Sequence, residues 1–348
     1  MADKTGIEWT DSTWNPITGC TEVSTGCDHC YAKTFAERWR GTAGHYFENG
    51  FDVQLRPDKL SLPLRWKRRR RIFVNSMSDL FHDQVPDDYI ARVFAVMALA
   101  EHHTFQVLTK RHARMRSLLS NEEFQSEVAY NVLALLTPSD DAHPFGELPS
   151  QIADVIDWWP IRNVWLGISA ENQQWADIRI PALLDTPAAV RFVSAEPLLG
   201  PIDFGLIERS AWQPDAITGI DWVIVGGESG PGARPMHPRW AESLQRQCET
   251  AAVPFLFKQW GEWTPMAPLD KNGRLDFRGC HAMTSDGNLY GPGDLIWPDG
   301  PRVGEAYRAD FPHHHPTSMY RVGKHKSGRE LYHDGRTWDE YPQAVTHA

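Results

Sequence analysis

The sequence contains few cysteines and no paired cysteine spacing. Only five cysteines occur among 348 residues, and an odd number cannot be fully paired within one chain. The first residues are polar and carry no hydrophobic core of a secretory signal. We therefore expect a protein of the reducing cytoplasm, in which disulfide bonds do not contribute to stability.

Long apolar runs and an excess of positive charge are also missing. No stretch approaches the roughly 20 apolar residues that a membrane-spanning helix needs. The formal net charge is −10, which argues against indiscriminate binding to nucleic acid, although an acidic protein can still contain a basic cleft. The hydrophobic fraction of 41% is that of an ordinary globular protein with a sizeable core.

Short β-branched runs alternate with helical patterns along most of the chain. The runs are apolar on both faces, as buried parallel strands are, and lie at Arg71–Ser76, Thr104–Lys110, Asn163–Ser169, Val190–Ala195, Asp221–Gly226 and Pro254–Lys258. Helical patterns begin at Asp87 and cover His112–Leu119 and Arg239–Ala251. This alternation predicts a parallel sheet with right-handed crossovers. A further strand is predicted at Trp14–Thr18, directly before a cysteine-containing loop.

The predicted architecture is therefore α/β, with a partial or full parallel (β/α) barrel over residues 1–262. A segment near residues 121–160 interrupts the alternation and is interpreted as an insertion. From residue 263 to 348 the pattern fades into Gly-, Pro-, Asp- and His-rich sequence. We expect this part to be an irregular extension packed on the barrel.

Polar residues appear repeatedly where an apolar strand ends. The carboxyl ends of parallel barrel strands meet on one face, and that face carries the active site. The alternative is that some of these residues only cap helices. The motifs at these ends are Asn75–Asp79, Thr109–Arg111, Ser169–Asn172, Ser194–Pro197, Gly226–Gly230 and Lys258–Gly261.

Three of the cysteines, Cys20, Cys27 and Cys30, lie within one glycine-containing loop, with gaps of six and two residues. A structural zinc site is usually closed by four protein ligands, whereas a site for chemistry keeps one position open. Soft thiolate ligands select zinc or an iron–sulfur cluster. A zinc site completed by a histidine such as His29 is the alternative to a three-cysteine [4Fe–4S] cluster.

These motifs resemble a phage-associated and largely uncharacterised three-cysteine-motif family. The segments that carry the resemblance are Asn15–Cys20, Gly26–Ala32, Asn75–Phe81, Glu196–Gly200, Gly226–Gly230 and Lys258–Gly261. That family in turn resembles radical S-adenosylmethionine (radical SAM) enzymes, which hold a [4Fe–4S] cluster on a three-cysteine loop after the first barrel strand. The first gap of the common radical SAM loop is shorter than the six residues found here.

The resemblance implies a fold of radical SAM type and a role for each motif. Cys20, Cys27 and Cys30 would hold the cluster, and S-adenosylmethionine (SAM) would occupy its open position. His29 stands where the common motif has an aromatic residue against the adenine. The other candidate SAM contacts are Ser76, Ser169, Glu171, Glu196, Gly226, Gly227 and Glu228, although the glycines are also compatible with a simple tight turn.

Further expectations concern the substrate and the partners. The candidate substrate contacts are Lys110, Lys258 and Gln259, and Cys280 is a candidate hydrogen-atom donor, as in radical repair of DNA photoproducts. The resemblance implies a nucleic acid or nucleotide as substrate and an electron donor such as flavodoxin or ferredoxin. Two alternatives stay open at this point: a zinc-stabilised nucleic-acid-binding protein without catalysis, and an iron–sulfur protein that only transfers electrons.

Overall fold

A computed structural model describes residues 5–136, 159–207, 216–291, 316–332 and 336–343. Its helices are α1 (Tyr31–Glu37), α2 (Pro57–Leu60), α3 (Leu62–Arg65), α4 (Asp87–Leu99), α5 (His112–Leu119), α6 (Glu122–Leu136), α7 (Gln173–Leu184), α8 (Pro238–Ala251) and α9 (Lys324–Ser327). Its strands are β1 (Ser12–Trp14), β2 (Ile17–Thr18), β3 (Gln54–Leu55), β4 (Arg71–Val74), β5 (Thr104–Thr109), β6 (Val164–Ser169), β7 (Val190–Ala195), β8 (Trp222–Gly226), β9 (Phe255–Gln259), β10 (Trp263–Thr264), β11 (His281–Met283), β12 (Leu289–Tyr290) and β13 (Thr317–Arg321). None of the helices in these ranges has both the length and the apolarity needed to cross a membrane.

The centre of the fold is a curled parallel sheet of seven strands. Its order is β1-β4-β5-β6-β7-β8-β9, and every neighbouring pair is parallel. Strands β1 and β9 form the two edges and do not pair with each other, so the sheet is a partial barrel. The predicted α/β class and the partial parallel barrel are confirmed, and the six predicted central strands all occur.

The predicted strand at Trp14–Thr18 is divided in two. β1 ends at Trp14, and Ile17–Thr18 pairs instead with β3 in the antiparallel direction. The cause lies between them, because Pro16 has no N–H to donate to a strand ladder. Asn15 turns its side chain to accept from Met77 N at 2.9 Å. The break ties the start of the cysteine loop to the end of β4.

Alternate residues of the strands serve two separate cores. One face packs under the helices and contributes residues such as Val74, Val107 and Ile168. The opposite face carries an aromatic layer of Trp9, Phe73, Trp165, Phe192 and Trp222, with ring centroids 4.6 to 6.3 Å apart. This layer fills the concave side of the half-barrel, so polar side chains at the strand ends have a solid apolar base.

The insertion and the extension add to this core in different ways. The described start of the insertion is helix α6, which packs on α4, and residues 137–158 lie outside the described ranges. The extension contains a four-stranded antiparallel sheet, β10-β13-β11-β12, where the sequence suggested irregular structure. Its strands are two to five residues long, too short to show a periodic pattern. Phe257 N donates to Trp338 O at 2.9 Å, so the extension also covers the β9 edge.

The aromatic layer predicts a large difference between two phenylalanine variants. Phe192 is fully buried, and its ring occupies the space that a side chain at position 167 would need, which Gly167 leaves free. We expect Phe192→Ala to lower the free energy of unfolding by about 3–5 kcal/mol. Phe277→Ala, at a side chain that is 61% exposed, should change it by less than about 0.5 kcal/mol. Urea unfolding of both variants measures the difference, and similar midpoints would show that the layer does not stabilise the sheet.

Candidate functional site

A cavity of about 870 Å³ opens at the carboxyl ends of the parallel strands. All three loop cysteines line it. Most of the other predicted site residues line it too: His29, Ser76, Lys110, Ser169, Glu196, Gly227, Glu228, Lys258 and Gln259. The structure thus brings together, from the cysteine loop and most of the strand ends, residues that are more than two hundred positions apart in the chain.

The cysteine loop follows β2 and leads into α1. Gly19 has a φ of +88°, and a side chain here would overlap the backbone carbonyl of Asp52, so only glycine fits this tight start. Cys27 ends a short 3₁₀ turn, and Cys30 immediately precedes α1. Each of the three thiols is partly exposed, in contrast to the buried Cys248. All three therefore face the cavity from one short loop.

The three thiols line the same cavity, but they are not arranged as a set of metal ligands. Within the described ranges, no three His, Cys, Asp or Glu side chains are gathered closely enough to hold a metal ion. Burial raises the pKa of Cys20 to about 11, with Asp79 adding to the effect and Arg111 opposing it. Arg111 Nη1 donates to Cys20 Sγ at 3.3 Å. Three thiols are the chemistry of a centre that needs three soft ligands and one open position. The expected convergence of the three sulfur atoms on one point is not seen among the described residues, so the loop must move to gather them around a metal centre.

Glu171 braces the loop from behind. Its side chain is fully buried, and it accepts hydrogen bonds from Ser24 Oγ at 2.7 Å, Lys110 Nζ at 2.5 Å and Arg179 Nη1 at 3.0 Å. A side chain at Gly26 would overlap the carboxylate, so the loop backbone lies directly against it. Burial opposes ionisation, but Lys110 and Arg179 outweigh it, and the pKa of Glu171 is lowered.

Glu228 holds the other side of the loop. It accepts from His29 Nδ1 at 3.0 Å and from Arg234 at three nitrogens, between 2.7 and 3.0 Å. Arg234 also donates to Asp28 Oδ2 at 3.0 Å and to Thr25 O at 2.8 Å. Burial opposes ionisation of Glu228, yet these donors hold its pKa below the ordinary value. Two buried carboxylates from two different strand ends therefore fix the loop that carries the thiols.

Glu196 and Lys258 form a third polar pair inside the cavity. Lys258 Nζ lies 2.8 Å from Glu196 Oε1, and Ser194 Oγ donates to Glu196 Oε2 at 3.1 Å. A Cβ at Gly226 would approach Glu196 Oε1 to 2.7 Å, so this glycine makes room for the carboxylate. Burial disfavours the ammonium of Lys258, but Glu196 overcomes it and raises the pKa. Lys258 and Glu196 therefore form an ion pair in the wall of the cavity.

Three of the predicted site residues do not line the cavity. Glu171 lies behind the cysteine loop, where Ser24, Lys110 and Arg179 occupy its two carboxylate oxygens, so its position supports bracing rather than the direct SAM contact that we expected. Gly226 does not face the cavity, but its lack of a side chain leaves room for the Glu196 carboxylate. Cys280 is buried in the extension at the start of β11, where its thiol donates to His281 O at 3.6 Å. Its predicted role as a hydrogen-atom donor has no support from this position.

Several residues of the site were not found from the sequence. Arg179 is a charged residue on the buried face of α7, and a charge at an apolar position of the helical pattern was the available signal. Nothing in the sequence around Arg234 indicated a role in the site, because its partners in the cysteine loop lie about two hundred residues away in the chain. Four residues that line the cavity also have buried polar atoms without a hydrogen-bond partner in the described part of the chain: Glu8 Oε2, Trp9 Nε1, both side-chain polar atoms of Asn75, and Gln259 Oε1. Unpaired polar atoms in residues beside a cavity are consistent with a bound ligand or water.

The chain belongs to a family described as a protein of unknown function, DUF5131, whose model matches residues 4–342. No curated protein and no solved structure matches the chain significantly. The family therefore covers nearly the whole chain and includes every residue of the site, and its description assigns no activity.

The bracing by Glu171 can be tested through stability and its pH dependence. Glu171→Gln would leave the fully buried Arg179 without its anion, and we expect a loss of about 3–5 kcal/mol at pH 7. Because the pKa of Glu171 is lowered below the ordinary 4.5, its contribution is complete above that value and disappears as the pH falls through the lowered pKa. Urea unfolding between pH 7 and pH 3 should thus show the two proteins converging in acid.

The matched control is Glu101→Gln, which removes an exposed carboxylate outside the site and should unfold like the parent protein. A second measurement follows the loop itself: alkylation of Cys27 in the metal-free protein should be faster in Glu171→Gln than in the control. Equal stability and equal alkylation rates in the two variants would contradict the bracing role.

Proposed function

We propose that this protein is a radical SAM enzyme in which Cys20, Cys27 and Cys30 hold a [4Fe–4S] cluster. The observation that supports this most directly is the cavity itself. Three thiols on one loop and a ring of polar strand-end residues open into the same space at the carboxyl edge of a parallel half-barrel. This is the arrangement that the resemblance to the phage-associated three-cysteine family and to radical SAM enzymes implies.

Cys20, Cys27 and Cys30 would hold the cluster, which when bound would supply the electron for reductive cleavage of SAM and so the means of removing a hydrogen atom from the substrate. The protein's own residues orient and shield the reactants. The mainly apolar wall excludes water, and the braced loop keeps the three thiols at the cavity. An electron donor such as flavodoxin or ferredoxin would provide the electron.

The polar residues of the cavity divide between SAM and the loop. Ser76 and Asn75 lie at the end of β4, and Asn75 has two buried polar atoms without a protein partner, which suits the amino acid part of SAM. Ser169 and Glu196 are the candidates for the ribose hydroxyls and the charged groups, with the Gly227 turn close by. His29 and Glu228 are bonded to each other, so their part is to position the loop. Lys110 bonds to Glu171 and belongs to the same support.

Nothing in the geometry favours the two alternatives over this proposal. A structural zinc ion would need a fourth ligand. The bond from His29 Nδ1 to Glu228 does not exclude His29, because a histidine that binds a metal through Nε2 commonly donates its other ring N–H to a carboxylate. His29 and Cys30 are adjacent in the chain, however, which is unfavourable for two ligands of one ion. An electron-transfer protein does not require a cavity of about 870 Å³ beside its cluster. Both alternatives remain distinct outcomes of the experiment that follows.

The test is anaerobic reconstitution with iron and sulfide, followed by incubation with SAM and dithionite. We expect a brown protein that releases 5′-deoxyadenosine and methionine. Cys27→Ser should lose the cluster and the product but stay folded, because the apolar core does not depend on a metal. Cys248→Ser is the matched control, since Cys248 is buried in α8 away from the cavity, and it should keep full iron content and activity.

Each other outcome has a defined meaning. A colourless protein that binds zinc through the three cysteines would support the structural zinc site. A reconstituted cluster that is reduced and reoxidised without release of 5′-deoxyadenosine would support electron transfer. Full iron content in Cys27→Ser would contradict the ligand assignment.

A further inference from the structure

Three residues that line the cavity each have a polar atom that the protein leaves unpaired. They are Glu8, Trp9 and Gln259, whose Oε2, Nε1 and Oε1 atoms respectively are buried and have no hydrogen-bond partner among the described residues. The whole side chains of Trp9 and Gln259 are more than nine-tenths buried. A buried polar atom that stays unpaired destabilises the protein, because it has lost its hydrogen bonds to water without replacement. The cost is recovered if a ligand offers N–H donors to the carboxylate and an acceptor to the indole.

Apolar side chains lie beside these polar atoms. Ile7, Phe73 and Leu108 line the same cavity, and Phe73 packs against Trp9 with ring centroids 4.6 Å apart. A flat group with a hydrogen-bonding edge and apolar faces fits this combination, because its faces contact the hydrocarbon while its edge meets the unpaired atoms. A nucleobase is such a group, and its recognition by edge hydrogen bonds and stacking is common in proteins.

The rim of the cavity has a different character. Lys324, His325 and Lys326 of α9 line it and are exposed. No described carboxylate forms an ion pair with Lys324 or Lys326, whereas Lys110, Arg111 and Lys258 inside the cavity are paired with Glu171, Asp79 and Glu196. One carboxylate, Glu262, lies near Gly323 and accepts from Gly230 N at 3.0 Å. Lys324 and Lys326 therefore place two cations without an ion-pair partner among the described residues at this cavity, where they would attract an anionic group.

We infer that the cavity binds a nucleotide, with an amino-bearing base at Glu8, Trp9 and Gln259 and its phosphate at Lys324 and Lys326. The inference names the substrate class of the enzyme proposed above and in that respect rests on that proposal. Guanine is the base that fits best, because it presents several N–H donors on one edge next to a carbonyl acceptor. Uracil offers a single N–H and pairs less well with the Glu8 carboxylate.

Calorimetry on the metal-free protein tests the inference without cluster or SAM. The probes are GMP, UMP, guanosine, ribose 5-phosphate and a short guanine-containing single-stranded oligonucleotide. We expect GMP to bind at least tenfold more tightly than UMP, guanosine or ribose 5-phosphate. Tighter binding of the oligonucleotide than of GMP would identify a nucleic acid strand as the source of the nucleotide, and tighter binding of GMP would identify a free nucleotide.

Variants separate the two ends of the ligand. Glu8→Gln should weaken GMP about tenfold and leave ribose 5-phosphate unchanged. The combined Lys324→Ala and Lys326→Ala variant should weaken GMP and ribose 5-phosphate equally and leave guanosine unchanged. Both lysines are exposed, so this variant is expected to fold. Lys271→Ala, at an exposed lysine of the extension outside the cavity, is the control and should bind every probe like the parent.

The inference is overturned if neither GMP nor the oligonucleotide binds, if ribose 5-phosphate binds as tightly as GMP, or if the double lysine variant keeps its affinity for GMP. These results do not depend on SAM chemistry. Nucleotide binding without release of 5′-deoxyadenosine by the reconstituted protein would overturn only the proposed reaction. Release of 5′-deoxyadenosine without nucleotide binding would overturn only the substrate assignment.

Discussion

Two buried carboxylates hold the cysteine loop against the strand ends, and the organisation of the site depends on them. Glu171 follows β6 and Glu228 follows β8, so their positions are set by the most buried strands of the sheet. Each is satisfied by several charged donors, which is what allows an ionised carboxylate to remain inside a protein. The loop between β2 and α1 has no regular structure over most of its length, and it obtains its place from these contacts.

This arrangement explains how the cysteine loop can be held at the cavity before any metal is bound, although its three thiols are not yet gathered around one point. A small metal-stabilised domain acquires its fold from the ligand–metal bonds. Here the aromatic layer around Phe192 and Trp222 and the helix-facing core provide the stability, and the carboxylates transfer that rigidity to the loop. The thiols have few partners among the described residues: Cys20 Sγ accepts from Arg111 and donates to Thr21 O at 3.4 Å, and Cys27 Sγ lies 4.0 Å from Ser24 Oγ. They are therefore available as ligands.

Charge is distributed unevenly between the protein and its cavity. The chain has a net charge of −10, yet each carboxylate that braces the loop is paired with a cation. The cations that remain unpaired at the cavity lie in α9, a short helix of the extension. The extension is thus part of the site, because it covers the β9 edge and contributes the rim. A site made from the cysteine loop, the strand ends and α9 requires the described segments from both ends of the chain to fold together.

Much of the fold was predictable from the sequence, because buried parallel strands are continuous apolar runs and the helices between them are periodic. The same regularity placed Ser76, Ser169, Glu196, Lys258 and Gln259 at one face, since the carboxyl ends of parallel strands meet at one edge. The short strands of the extension carry too few residues to show a period and were missed. So was the break at Pro16, where the sequence suggested one continuous strand.

The sequence by itself determined the α/β class, the three-cysteine loop and the edge of the sheet where the site lies. It could not separate residues that face the cavity from residues that support it, because Glu171 and Glu196 both follow apolar strands and look alike in the chain. Only the tertiary structure distinguished their roles. Arg179 and Ser24 bond to the Glu171 carboxylate, whereas Glu196 lines the open cavity. The physical reason is that the role of a carboxylate depends on which donors reach it, and those donors lie far apart in the sequence.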